Sequence, residues 1–109
     1  MANSVFKGEI KAGSITARFL SDFSNVDPDL LTAQYADFSG DNPQTAREVV
    51  APGGSKTVTI HAPKNGLLEI MVDTGHDNES GRLQVNREGA TVHDEPIQGP
   101  VRWVYSVAE

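Results

Sequence analysis

Apolar side chains fall on every second residue through most of this chain, in short runs bounded by Gly, Pro, Asn and Asp. That is the pattern of half-buried β-strands joined by turns. Residues 5–10 (VFKGEI) and 15–20 (ITARFL) form the first two runs, and the Lys-Ala-Gly-Ser between them reads as the turn of a hairpin. In the second run Ile15, Ala17 and Phe19 share one face, while Thr16 and Arg18 take the other.

The pattern resumes at residues 45–50 (TAREVV), closed by Ala-Pro-Gly-Gly, a strong turn signal. Residues 55–61 (SKTVTIH) set Val58 and Ile60 against Thr57, Thr59 and His61. Asn65-Gly66 then suits the positive φ of a tight turn, so 55–61 and 67–72 are expected to pair as a hairpin around Lys64. Residues 67–72 (LLEIMV), the most apolar run, are expected at the centre of a sheet. Residues 82–86 (RLQVN) and 90–93 follow, joined at Glu88-Gly89. Residues 101–107 (VRWVYSV) close the domain with Val101, Trp103, Tyr105 and Val107 on one face.

One segment fits two templates. Asp27 as N-cap, Pro28 at the first helical position, and Leu31, Tyr35 and Phe38 at helical spacing argue a short helix near residues 28–38. Leu31, Ala33 and Tyr35 alternating with Thr32, Gln34 and Ala36 argue a strand. With either answer, some seven to nine short strands with turn signals every ~8–12 residues define an all-β fold. The expectation is one antiparallel β-sandwich over residues 1–109, jelly-roll or immunoglobulin-like.

Composition narrows the chemistry. The 109 residues carry a net charge of −6, and the nine Lys and Arg residues are scattered singly. A domain that binds duplex needs a basic stripe to displace counterions from phosphates, so nucleic acid and anionic membrane are poor partners. With no cysteine in the chain, disulfides, thiolate nucleophiles and cysteine metal sites are excluded. The sequence as given begins without a basic segment and apolar run of the secretory kind, so the expectation is a soluble, by default cytoplasmic, protein.

Catalytic signatures are missing. No serine lies in Gly-x-Ser-x-Gly or an equivalent nucleophile motif. Gly53-Gly54-Ser55-Lys56 ends like a phosphate-binding loop, but the upstream glycine is absent and a strand follows where a helix must start. Asp27, Asp29 and Asp41 read as solvated loop carboxylates, without the apolar pocket that makes a general acid. The expectation is that the protein is not an enzyme.

Three histidines, His61, His76 and His93, raise the question of a metal. About seven residues of strand at ~3.3 Å each put His61 roughly 23 Å from the segment that holds His76, too far to share a zinc ion. Calcium is the better candidate, at residues 73–81 (DTGHDNESG). Asp73, Asp77, Asn78 and Glu79, with loop carbonyls, offer the hard oxygens that calcium takes. The plainer reading is a turn rich in residues that tolerate tight backbone. Asn78-Glu79-Ser80 also matches the glycosylation acceptor pattern.

The order Asp73, Asn78-Glu79-Ser80-Gly81 and Val85 resembles a loop of the small jelly-roll bacterial lectins that bind galactose through calcium. The resemblance implies Asp73, Asn78 and Glu79 as calcium ligands. It is confined to residues 73–85, and in those lectins the corresponding strand ends the chain, whereas here more than twenty residues follow. Trp103 and Tyr105, two apart on one strand, would make a sugar-stacking platform if exposed, with His76, within residues 73–81, as a further ligand contact. Their apolar flanks argue instead for the core, or for a face buried against another subunit.

Two functions follow as expectations. One is a non-enzymatic binding module, carbohydrate-binding and calcium-assisted through residues 73–81, taking a glycan or protein ligand. The alternative is an assembly protein that forms a homo-oligomer through a sheet face or an edge strand.

Overall fold

A computed structural model describes residues 4–21, 29–37, 43–51, 53–73 and 80–109. Among them are nine strands and no helix: β1 (Ser4–Lys11), β2 (Gly13–Ser21), β3 (Asp29–Asp37), β4 (Gln44–Val50), β5 (Ser55–Ala62), β6 (Gly66–Asp73), β7 (Ser80–Arg87), β8 (Ala90–Gln98) and β9 (Val101–Ala108). They form a five-stranded sheet, β1-β9-β6-β3-β4, and a four-stranded sheet, β5-β2-β7-β8, packed face to face without closing into a barrel. This is the all-β sandwich that the alternation implies, and β6 is the central strand of the larger sheet.

The ambiguous segment is a strand. As β3 it pairs with β4 on one side and β6 on the other, burying Leu31, Ala33 and Tyr35. Two neighbours bond the backbone along its length, which a helix of the same residues would have to forgo; tertiary pairing overrides the capping signal.

Neither expected hairpin around the early turns forms. β1 and β2 lie in different sheets, and so do β5 and β6. The residues at 11–13 and 63–65 carry the chain across the sandwich instead of reversing it within a sheet. Freed from β2, β1 fills the edge beside β9 and runs parallel to it, the one departure from antiparallel pairing among the described strands. The Glu88-Gly89 turn does reverse the chain, with φ of 51° and 84°, the pair of positive values that suits a two-residue hairpin. β8 then continues well past His93 to Gln98.

The core lies between the sheets. Ile15, Ala17 and Phe19 of β2 and Leu83 and Val85 of β7 face Leu68, Ile70 and Val72 of β6 and Trp103, Tyr105 and Val107 of β9. Each fully buried large side chain contributes ~1.5–3 kcal/mol by leaving water, so this interlayer is what holds the strands in place.

A five-stranded sheet over a four-stranded one leaves two long openings, and side chains close both. On one, β5 packs beneath β3 and β4, and the Gln44 amide bonds both polar groups of the His61 backbone. On the other, a bulge in β1 between Phe6 and Gly8 turns Lys7 inward, where it meets Glu95 of β8 at 2.8 Å.

Candidate functional site

Register fixes the end of the sandwich that carries the acidic segments. Ser21, at the end of β2, lies opposite Gly81 of β7; Leu30 of β3 lies opposite Asp73, at the end of β6. Ser21 and Asp29, which flank residues 22–28, and Asp73 and Ser80, which flank residues 74–79, therefore stand at the same end of the sandwich, one residue of each pair in each sheet. The first stretch contains Asp22, Asn25 and Asp27, the second His76, Asp77, Asn78 and Glu79. Of the candidate calcium ligands, Asp73 is exposed at the last position of β6. Asp77, Asn78, Glu79 and the candidate ligand contact His76 lie outside the described residues, as do Asp27 and Phe38. Among the described residues no three His, Cys, Asp or Glu side chains converge as metal ligands.

His61 sits at the far end of β5, next to the turn at 63–65, and the whole of β6 separates that turn from Asp73. The separation expected between His61 and residues 74–79 thus rests on the length of β6, not on a β5–β6 hairpin.

Trp103 and Tyr105 face the interior and are 4% and 0% exposed. Neither ring leaves a face free for a sugar to stack on, and of the readings offered for them the core packing is the one observed. They belong to a cluster that alternation along residues 90–93 alone does not reveal. The bulge between Val85 and Asn86 sets the faces of β8 so that His93 and Glu95 point inward beneath β9. His93 Nδ1 and the Tyr105 hydroxyl are hydrogen-bonded at 2.8 Å, and the imidazole meets Trp103 edge-on with centroids 6.0 Å apart. Lys7 Nζ stands 4.3 Å over the same Trp103 ring, a cation–π contact, while pairing with Glu95.

The chemistry of this cluster is that of packing. Burial, and after it the Glu95 carboxylate, push the Tyr105 phenol far above its usual range, so the hydroxyl stays neutral. The Lys7 ammonium hydrogen-bonded to it holds the Glu95 carboxyl below the ordinary carboxylate range, so Glu95 is ionised and paired at neutral pH. Inward-pointing charges and a bulge are also how edge strands are kept from pairing with other chains, and Pro96 on β8 adds a missing donor. The signal for this in the sequence was Lys7 beside Gly8 in the first run, and the acidic pair Asp94-Glu95 ahead of Pro96.

The outer face of the larger sheet is the other surface of note. Phe6 on β1 is 66% exposed and Leu67 on β6 is 44% exposed. Between β3 and β6, Gln34, Ala36, Leu67 and Glu69 line a concavity of about 190 Å³. Arg102, on the β9 side of β6, reaches Glu69 at 3.7 Å. The outer face of the smaller sheet is polar by contrast, with Thr16, Arg18, Thr57, Thr59, Arg82 and Gln84.

Comparison with protein-family models, with curated proteins and with solved structures finds no match for this chain.

Proposed function

We propose that this protein is a non-enzymatic binding module that offers one end of its sandwich to a glycan or protein ligand, assisted by calcium held at residues 73–81. The observation that supports this is the pair of register contacts, Ser21 opposite Gly81 and Leu30 opposite Asp73. They bring together the strand ends that flank two stretches of sequence rich in carboxylates and amides, and connections carried on a sheet scaffold are where binding residues concentrate. Carboxylate and amide oxygens suit both a calcium ion and the hydroxyls of a sugar. A calcium titration followed by thermal melting tests the metal, since a ligand that binds only the folded state raises the melting temperature. A melting temperature unmoved by millimolar calcium and by chelator would remove calcium from the proposal.

A second reading, a homo-oligomer formed through a sheet face, is favoured by one observation. Phe6 and Leu67 stand exposed on the same outer face, where a monomer gains nothing from them. Edge-strand assembly is the weaker form of that reading, because Gln44 covers the β5 edge and inward Lys7 and Glu95 mark the β1 and β8 edges.

A further inference from the structure

The exposed Phe6 and the concavity on the same face are related by register. Phe6 lies opposite Val104, Val104 opposite Glu69, and Glu69 opposite Gln34, so ring and concavity fall on one line across the sheet. With neighbouring strands ~4.8 Å apart, roughly 12 Å separates them, with β9 between. Phe6 cannot turn back into the concavity of its own chain across that span.

A second copy can supply the ring. A half-turn about an axis that lies between two such faces, parallel to the strands and over β9, exchanges the two sides of the face and keeps each position along the strands. It brings each Phe6 over the concavity of the other copy, and Val104 beside its own counterpart, an isologous contact. The size agrees. About 190 Å³ falls short of the ~300–1,000 Å³ typical of small-molecule pockets, and is ample for a phenyl ring on a floor of Ala36 and Leu67. Arg102, which the axis also brings near its counterpart, is already paired with Glu69 of its own chain.

We propose that the protein forms a two-fold homodimer in which Phe6 of each copy seats between Gln34, Ala36, Leu67 and Glu69 of the other. The proposal rests on the sheet-face reading of assembly given above. It also bears on ligand binding: an axis parallel to the strands leaves the end of each copy marked by Ser21 and Asp73 on the same side, so a multivalent ligand would engage two such ends at once.

Sedimentation over ~1–500 µM protein, a range that covers micromolar dissociation constants, tests it with two exposed-site variants, Phe6→Asp and Leu67→Lys. The wild type should dimerise in this range. Each variant alone should dimerise at least about 30-fold more weakly, as expected when an aromatic anchor or its pocket is lost. An equimolar mixture should recover dimer, because the mixed pair has one native ring-in-concavity contact and one contact between the introduced carboxylate and the introduced ammonium. A wild type monomeric throughout overturns this inference and the assembly reading together. A dimer indifferent to both substitutions overturns the seat of Phe6 and leaves the assembly reading standing. Loss in both variants without recovery in the mixture overturns the reciprocal geometry. Circular dichroism of both variants confirms that they fold.

Discussion

Gln44 and His61 are joined in both directions: the Gln44 amide nitrogen donates to the His61 carbonyl, and its Oε1 accepts from the His61 N–H at 3.2 Å. A side chain of the larger sheet thereby stands in for the neighbouring strand that the β5 edge lacks, and closes one opening of the sandwich. Gln44→Ala should cost about 1–2 kcal/mol, two net hydrogen bonds discounted for exposure. Urea denaturation checks the cost. The variant should also scatter more light at high concentration, since the β5 edge is then free to pair with other chains.

The opposite opening is closed by Lys7 and Glu95, and there the effect depends on pH. The folded state holds the Glu95 carboxyl below its ordinary value. The stabilisation is therefore present above the ordinary carboxylate range of about 4.3 and is lost as pH falls through the lower, folded-state value. Wild-type melting temperature should lose a small increment below about pH 4, and Glu95→Gln should start slightly lower at neutral pH and lose less on acidification. Parallel melting curves for the two proteins across that range would refute the role of the pair. The half-exposed Glu95 keeps the effect modest.

Gly81 of β7 has no room for a side chain against β2. A Cβ there would run into the Leu20 carbonyl oxygen and come within 2.6 Å of the Phe19 ring, which is fully buried and cannot yield. Gly81→Ala should destabilise by ~2–4 kcal/mol, and the midpoint of chemical unfolding measures it. Gly89→Ala, where a Cβ meets nothing, should cost less and only through its positive φ.

Tyr105→Phe removes the hydroxyl bonded to His93 and leaves a half-buried imidazole nitrogen without that partner. A loss of ~1–2 kcal/mol is expected by equilibrium unfolding, with the fold retained.

Much of this architecture was legible in the chain. Alternation put Val58 and Ile60, Leu83 and Val85, and Trp103, Tyr105 and Val107 each on one shared face, which in all three strands is the buried one, and the apolar run 67–72 at the sheet centre, because burial on one face imposes a period of two; whether the face of Trp103 and Tyr105 was core or ligand platform, alternation left open. What alternation does not carry is the identity of the pairing partner. The turns at 11–13 and 63–65 have hairpin composition and yet cross between layers. The choice is made by where Ile10 and Leu68 find their apolar neighbours, a long-range matter. β8 was underestimated past His93 because Asp94, Glu95 and Pro96 are poor strand formers, and an edge strand tolerates them. Of the candidate site, the chain displayed the acidic segment at 73–81. It did not display that Ser21 and Leu30, on either side of residues 22–28, pair with Gly81 and Asp73 at its two ends, which only the β2–β7 and β3–β6 registers reveal.

The central claim, a loop-end binding module, is tested most directly by presenting the labelled protein to a glycan array with calcium and again with chelator. The account predicts selective binding to a restricted set of glycans that chelator weakens and that Asp73→Ala and Asp77→Ala each reduce by about 10-fold or more, the scale of one lost ion contact. Uniform absence of binding in calcium would contradict the glycan reading, and binding indifferent to chelator and to both substitutions would contradict the site.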